Sequence, residues 1–478
     1  MNETMTNEEK SITVNPESFR DRLATVDSKG KRKWVFAQKP KGRFYSIRTW
    51  VSWGFFALFF ALPFVRLNGR PLFQFDIPEA KFIIFGKIFW PQDFFIFGVT
   101  MLTFIVFIVL FTAAFGRLFC GWVCPQTIFM EMLFRKIEYA IEGSAAKQRL
   151  LKNAPWNGEK IRKKLTKHAV FYLLSFVIAN FFLAYIIGMD ELLAIIREPL
   201  GRHFMGFLGM LAFAAVFYAV YAYFREQVCT VICPYGRLQG VLLDRNSMVV
   251  AYDYKRGEPR GKFKKTLPAV LDTGDCIDCF QCVKVCPTGI DIRNGTQMEC
   301  VGCTACIDAC DKMMDATGKP RGLIRYASEN GIAGNQPLRY TARMKFYTLL
   351  LLLLAGLLTT LLLTRKDIDG TIVRAAGMLY QERGADSISN LYTIKVINKT
   401  LEDIPVTLKL ENAPGHIIEA EGRNIDVKKE GQGKGSFFVV LPRSYVSKRK
   451  TKLTIGLYDG EKKITQLTTN FMGPFTKL

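Results

Sequence analysis

The chain has 478 residues, a formal net charge of +23 and an apolar content of 49%. Length alone allows two or three domains; the charge would suit a nucleic-acid binder, but long uncharged runs put a membrane first and make nucleic acid an unexpected partner. All twelve cysteines sit in spaced groups, which excludes the disulfide framework of a small secreted domain.

Residues 1–47 are polar and carry ten Lys and Arg side chains, and residues 1–30 read as a solvated tail. The first apolar run is followed by no small-residue cleavage site, so a cleavable signal peptide is not expected. Five uncharged runs are predicted to be transmembrane helices: Thr49–Val65, Phe94–Gly116, Ala169–Met189, Phe204–Phe224 and Phe346–Thr364. Trp50 and Trp53 suit an interfacial anchor on the first. Ten basic residues lie between Arg135 and Lys167, whereas the loop Asp190–His203 has only Arg197 and Arg202. The positive-inside rule then puts the N-terminus in the cytoplasm, the segment after the fourth helix there too, and the C-terminus outside.

The first four helices read as a duplication. One pair ends in Phe119-Cys120-Gly-Trp-Val-Cys124-Pro125-Gln126, the other in Val228-Cys229-Thr-Val-Ile-Cys233-Pro234-Tyr235. On a helix, the i,i+4 spacing turns both sulfurs to one face. The proline that follows places each motif at a helix end or break. Such pairs suit a soft Cu(I) site, a redox-active dithiol, or one four-thiolate site if the repeats pack side by side; the alternative is buried apolar cysteine at a helix contact. His168, His203 and His416 are poor candidates for further ligands, and there is neither a CxxCH motif nor a credible GxGxxG fingerprint. Asn180 reads as an interhelical hydrogen-bonding residue.

The next stretch reads Cys276-x2-Cys279-x2-Cys282-x3-Cys286-Pro287, then Cys300-x2-Cys303-x2-Cys306-x3-Cys310-Asp311. This is the bacterial ferredoxin spacing for two [4Fe–4S] clusters, in which the fourth cysteine of each run crosses to the other cluster. It assigns Cys276, Cys279, Cys282 and Cys310 to one cluster, and Cys286, Cys300, Cys303 and Cys306 to its neighbour. Zinc prefers two separated CxxC pairs. Cluster assembly needs reduced thiols, which agrees with a cytoplasmic face.

Beyond Thr364 the texture changes to short alternating stretches: Asn390–Asn398, Ile404–Glu411, Gly435–Leu441, Lys452–Tyr458 and Lys463–Thr469. About seven strands in roughly 100 residues suit an immunoglobulin-like sandwich, here without cysteine and with docking to a partner as its expected role. The predicted fold is thus a multidomain membrane protein. It comprises a cytoplasmic basic segment (1–47), a transmembrane helical repeat (48–235), a cytoplasmic two-cluster ferredoxin-type domain (236–343), a fifth transmembrane helix (344–364) and an external immunoglobulin-like domain (365–478).

Together FCGWVCPQ at 119–126, VCTVICPYGRLQ at 228–239, the cluster motifs and the sandwich resemble the CcoG/RdxA/FixG family over nearly the whole chain. These are membrane iron–sulfur proteins associated with assembly of cbb3-type cytochrome c oxidase. The resemblance implies a bacterial inner-membrane protein with a periplasmic C-terminal domain and reduction of Cu(II) to Cu(I). It implies copper at Cys120, Cys124, Cys229 and Cys233, electrons from the clusters, and copper-transport or oxidase-assembly partners. The donor, cytoplasmic or quinol, is left open. The CxxxCP repeat and cluster pairs are also similar to quinol dehydrogenases of periplasmic nitrate reduction, which would oxidise membrane quinol and feed a periplasmic acceptor. A non-redox copper-binding assembly scaffold is the third alternative.

Overall fold

A computed structural model describes residues 24–474 without 27–28, 78–80, 91–92, 262–273, 337–338, 420–424 and the single positions 68, 200, 335, 366, 376, 378, 385, 401 and 430. Most of the expected solvated tail, residues 1–23, lies outside the described residues. The chain divides into two compact units, Met1–Leu358 and Thr359–Leu478.

Five helices are long and apolar enough to cross a membrane: Arg43–Phe64, Phe94–Phe115, Gly158–Ile187, Phe204–Phe224 and Ala342–Leu363. The first, third and fifth start earlier than the uncharged runs, because polar turns are helical too. Asn157 Oδ1 caps the third by accepting from the Lys160 amide. The first is capped from far away in sequence: Asp308, between the last two cysteines of the second motif, accepts from the Phe44 and Tyr45 amides at 3.1 and 2.7 Å. A carboxylate there also meets the positive end of the helix dipole. Gly42 packs on Asp308 so closely that a side chain at 42 would clash with it.

The helical core is aromatic, built on fully buried Phe129, Phe134 and Phe171 with Tyr221 at 3% exposure. Phe134 stacks on Tyr221 with centroids 4.4 Å apart. Outward faces carry exposed Phe104, Phe107, Leu208, Leu352 and Leu353, as lipid contact requires. The loop after the first helix folds as an antiparallel sheet of Phe73–Asp76, Lys81–Ile84 and Lys87–Phe89, which sequence reading did not anticipate.

In the cysteine-rich region, strands Val249–Tyr252 and Ile324–Ala327 pair antiparallel and bracket both motifs. Their side chains Val250, Tyr252 and Ile324 join Ile290, Ile292, Ile307 and Met314 in a small core around the cysteines.

The second unit is a two-sheet sandwich. One sheet runs His416–Glu419, Gln432–Pro442, Ser387–Asn398, Ile368–Arg374, with Gln381–Arg383 also on Ser387–Asn398; the other runs Ile425–Val427, Ile404–Leu410, Lys450–Asp459, Lys462–Met472. Alternate residues such as Ile388, Tyr392, Ile394, Val406, Leu453 and Ile455 fill the core. Tyr392 stacks on Phe437 and donates to the Asn470 carbonyl at 3.0 Å. All five stretches read from alternation are strands; Ile368–Arg374 and the short ones at 381, 416 and 425 are additional.

Candidate metal centre

Each ferredoxin-type motif wraps its cysteines with the same backbone. Residues on both sides of the second cysteine have positive φ: Asp278 and Phe280 in the first motif, Gly302 and Thr304 in the second. Phe280 and Thr304 then start the helices that carry the third cysteines. Three of these four residues have side chains, so the turns are strained and held by their surroundings.

Cys276, Cys279, Cys282 and Cys310 line one cavity with Tyr252, Phe280 and Ile324. Cys286, Cys300, Cys303 and Cys306 line a second with Pro287, Thr288 and Ile290, and Cys282 borders this one too. Among the described residues, no three His, Cys, Asp or Glu side chains converge as ligands of one ion, which a tetrahedral zinc site requires. Four thiols around a cavity fit a cubane, where each cysteine meets a different iron.

The CxxxCP pairs have a geometry different from the expected helix face. The second helix breaks at Gly116 (φ 56°, ψ −130°), a short helix Leu118–Trp122 carries Cys120, and Cys124 is extended (φ −58°, ψ 124°) before the helix that Pro125 begins. The fourth breaks at Arg225 (φ 52°, ψ −122°), a π-turn Val228–Ile232 carries Cys229, and Cys233 (φ −68°, ψ 112°) precedes Pro234. Each pair therefore straddles a helix break, because proline cannot continue the preceding hydrogen-bond ladder. The repeat inferred from sequence is visible dihedral by dihedral.

These breaks bring the four thiols into one neighbourhood, although no three of them converge as ligands of one ion. Cys120 is near enough to Cys124 and Cys233 to feel their charge, and Cys229 likewise senses Cys124, Cys120 and Cys233. All four are half-buried and none forms a disulfide. Burial pushes the Cys120 and Cys229 thiols up to about 12, and raises Cys124. Any soft cation entering must therefore displace protons. Cys120 Sγ donates to Gln239 Oε1 at 3.0 Å, and Thr127 Oγ1 lies 4.0 Å from Cys229 Sγ. Gln239 is fully buried and its Nε2 has no hydrogen-bond partner.

The quartet adjoins the second cysteine cavity. Cys120 and Cys229 pack against Val285, Val301, Cys303 and Ala305. A Cβ at Gly121 would stand 2.5 Å from the Gly302 carbonyl oxygen, so this approach requires glycine. Two arginines tie the regions together. Arg48 donates to the Gly121 and Cys303 carbonyls at 2.9 and 3.1 Å; Arg117 donates to the carbonyls of Met298, Cys300 and Gly236. Arg117, like Arg225, is visible in the sequence a few residues before its CxxxCP motif, whereas the roles of Arg48 and Gln239 do not stand out there. His168 bonds Tyr218 at 2.8 Å and His203 bonds Glu198 at 3.1 Å, so neither serves the quartet.

Residues 224–329 match a 4Fe-4S dicluster domain, 97–142 a 4Fe-4S binding domain, and 358–474 the Ig-like fold at the C-terminus of FixG. Protein RdxB of Cereibacter sphaeroides is 34% identical over 81% of this chain and 86% of its own length. Protein RdxA of the same organism is 31% identical over 86% and 89%, and nitrogen fixation protein FixG of Rhizobium meliloti 37% over 64% and 60%. With its five apolar helices, its two cysteine-lined cavities and its C-terminal sandwich, the chain belongs to the FixG/RdxA family of iron–sulfur electron-transfer proteins.

Proposed function

We propose that this protein is a membrane cupric reductase that supplies Cu(I) for assembly of a cbb3-type oxidase. The reading is carried by one observation: four thiols from both halves of the repeat lie in one neighbourhood, two of them packed beside the second cysteine cavity. Cys276, Cys279, Cys282 and Cys310 would hold one [4Fe–4S] cluster, and Cys286, Cys300, Cys303 and Cys306 the other. When bound, such clusters supply single electrons, the number that Cu(II) takes up in becoming Cu(I). Cys120, Cys124, Cys229 and Cys233 present thiolate sulfur, which favours the reduced ion. Release of their protons accompanies its binding. Positive-inside bias supports a cytoplasmic cluster domain and a periplasmic sandwich, the latter docking copper-transport or oxidase-assembly proteins.

The test is Cu(II) reduction by the cluster-loaded, pre-reduced protein, read with a Cu(I)-specific chromophore. A one-electron yield that is lost in Cys120→Ser with Cys229→Ser, while the cluster EPR signal persists, supports the reading. No Cu(I) from the native protein defeats it. A second reading has its own support, because the 4Fe-4S binding domain matched at 97–142 contains Cys120 and Cys124: the quartet would then hold iron and sulfide. Iron analysis decides, since that reading requires iron beyond two clusters per chain and its loss with the same substitutions.

A further inference from the structure

The two cysteine cavities differ in the charge around them. Arg293 lines the cavity of Cys276, Cys279, Cys282 and Cys310, but it is ion-paired with Asp278 at 2.5 Å and Asp291 at 2.6 Å. Asp311 follows Cys310, and Arg260 nearby is paired with Glu258 at 2.6 Å. Carboxylates at least balance the cations on this side.

Arg48 and Arg117, which are 5% and 7% exposed, lie behind the ligand loop of the cavity of Cys286, Cys300, Cys303 and Cys306, bonded to its carbonyls but not lining the cavity itself. Their hydrogen bonds run to carbonyl oxygens of its own ligand loop and of the CxxxCP turns, and among the described residues neither forms an ion pair. Arg48 Nη2 and Arg117 Nε are buried without any partner. On this side the acidic residues Glu131 and Glu226 are ion-paired with Arg135 at 3.3 Å and Arg32 at 2.8 Å. Glu299 and Asp308, next to Cys300 and two residues after Cys306 in the chain, oppose the two arginines, Asp308 while accepting from the Phe44 and Tyr45 amides. A guanidinium does not deprotonate in proteins, and burying it without a counter-charge is unfavourable. Two such groups at one cavity and none at the other fit an occupant that is itself anionic. A cubane on four thiolates is one, and its negative charge grows by one on reduction.

We propose that Arg48 and Arg117 hold the reduction potential of the cluster at Cys286, Cys300, Cys303 and Cys306 above that of its neighbour, so that an electron comes to rest on the cluster beside the thiol quartet. Burial acts in the opposite sense, since a dry site resists added charge. The guanidiniums counter it through a low dielectric, where their field is strong. The inference rests on iron–sulfur occupancy of both cavities and not on copper at the quartet.

The test is an EPR-monitored redox titration of the full-length, cluster-loaded protein. Two waves are expected, and Arg48→Met should move only the upper one downward. Where the native upper cluster is half reduced, its reduced-to-oxidised ratio should fall about ten-fold. Arg48→Lys, which keeps the charge, should largely restore it, whereas Asp278→Asn should raise the lower wave. Loss of signal in Arg48→Met would pass the question to Arg117→Met and Asp278→Asn. The idea is overturned if Arg48→Met or Arg117→Met moves the lower wave, or if these three substitutions leave both ratios within two-fold. Native protein that shows no cluster signal after reconstitution would instead overturn the occupancy on which it rests.

Discussion

The two halves of the membrane repeat share a backbone and divide the chemistry. Gly116 and Arg225, each four residues before the first cysteine of its motif, adopt the same turn, at φ 56° and 52°. At Gly116 the turn is free of strain and a side chain is barred, since a Cβ would stand 2.5 Å from the Met248 carbonyl oxygen. At Arg225 a large side chain occupies a conformation that favours glycine, at a cost on the order of 1–3 kcal/mol. What holds it there is Glu138, whose oxygens take two hydrogen bonds from Arg225 at 3.0 and 2.8 Å and one from Lys167 at 2.8 Å. One half spends its turn on bringing Arg117 to the ferredoxin module, while the other locks helices to each other. Duplicated geometry thus carries two duties, and the side chains at the break decide which.

The largest expected effect removes the lock. Glu138 is 2% exposed, and burial alone would push its carboxyl up, but Arg225 and Lys167 override this and hold it well below the usual range. Glu138→Ala should destabilise the protein by about 3–5 kcal/mol, because buried Arg225 loses its two short bonds and keeps only the longer, 3.8 Å pair to Glu226. The sign with pH follows from linkage. A depressed native pKa contributes stability that is present above the ordinary carboxylate range and lost as pH falls through the native value. Denaturation in detergent should therefore show a full difference between native and variant protein at pH 7, shrinking only below about pH 4. A difference that vanishes by pH 6 would mean that Glu138 is not ion-paired.

Gly116→Ala comes next. It combines a positive-φ penalty of about 1–3 kcal/mol with backbone overpacking of similar size. Both halves can then be compared directly, since Arg225→Gly and Arg225→Ala lose the same ion pairs and differ in strain, against which the freer unfolded chain of glycine costs about 0.4–1 kcal/mol. Strain of roughly 1–3 kcal/mol should leave the glycine variant the more stable in the same denaturation assay. An alanine variant more stable than the glycine one would remove strain from the account of Arg225.

How far the sequence reveals this arrangement depends on how locally each contact is specified. The two cysteine sets are legible because all eight ligands lie within one short stretch and their spacing is dictated by the cluster. The long sandwich strands are legible because one face is dry and the other wet, which enforces a period of two. The CxxxCP motifs are legible as a repeat but not as a geometry. An i,i+4 spacing suggests a helical stripe, and only the prolines hint that Cys124 and Cys233 stand outside the preceding helix. Contacts between distant segments leave no such trace. Asp308 caps a helix 264 residues earlier in the chain, and Arg48 lies one residue outside the apolar run that marks its helix. Both read locally as ordinary surface charges until the fold brings the segments together.

The smallest effect concerns the position six residues after the second cysteine of each motif, which is Met130 in one half and Gln239 in the other. Both are buried, at 3% and 0% exposure. Met130 lines a cavity with Cys229, while Gln239 accepts the Cys120 thiol hydrogen. Gln239→Met makes the halves alike. It removes an acceptor, a loss of about 0.5–1.5 kcal/mol, but also deletes the buried, unpartnered Nε2, so the net change should stay within about 1 kcal/mol. Gln239→Glu is nearly isosteric, yet places a carboxyl in the same dry pocket beside four thiols and should cost more. Thermal unfolding in detergent should rank native and Gln239→Met close together with Gln239→Glu below them. The opposite ranking would mean that the pocket favours an acidic group next to Cys120, and the two halves would then differ in their chemistry as well as in their packing.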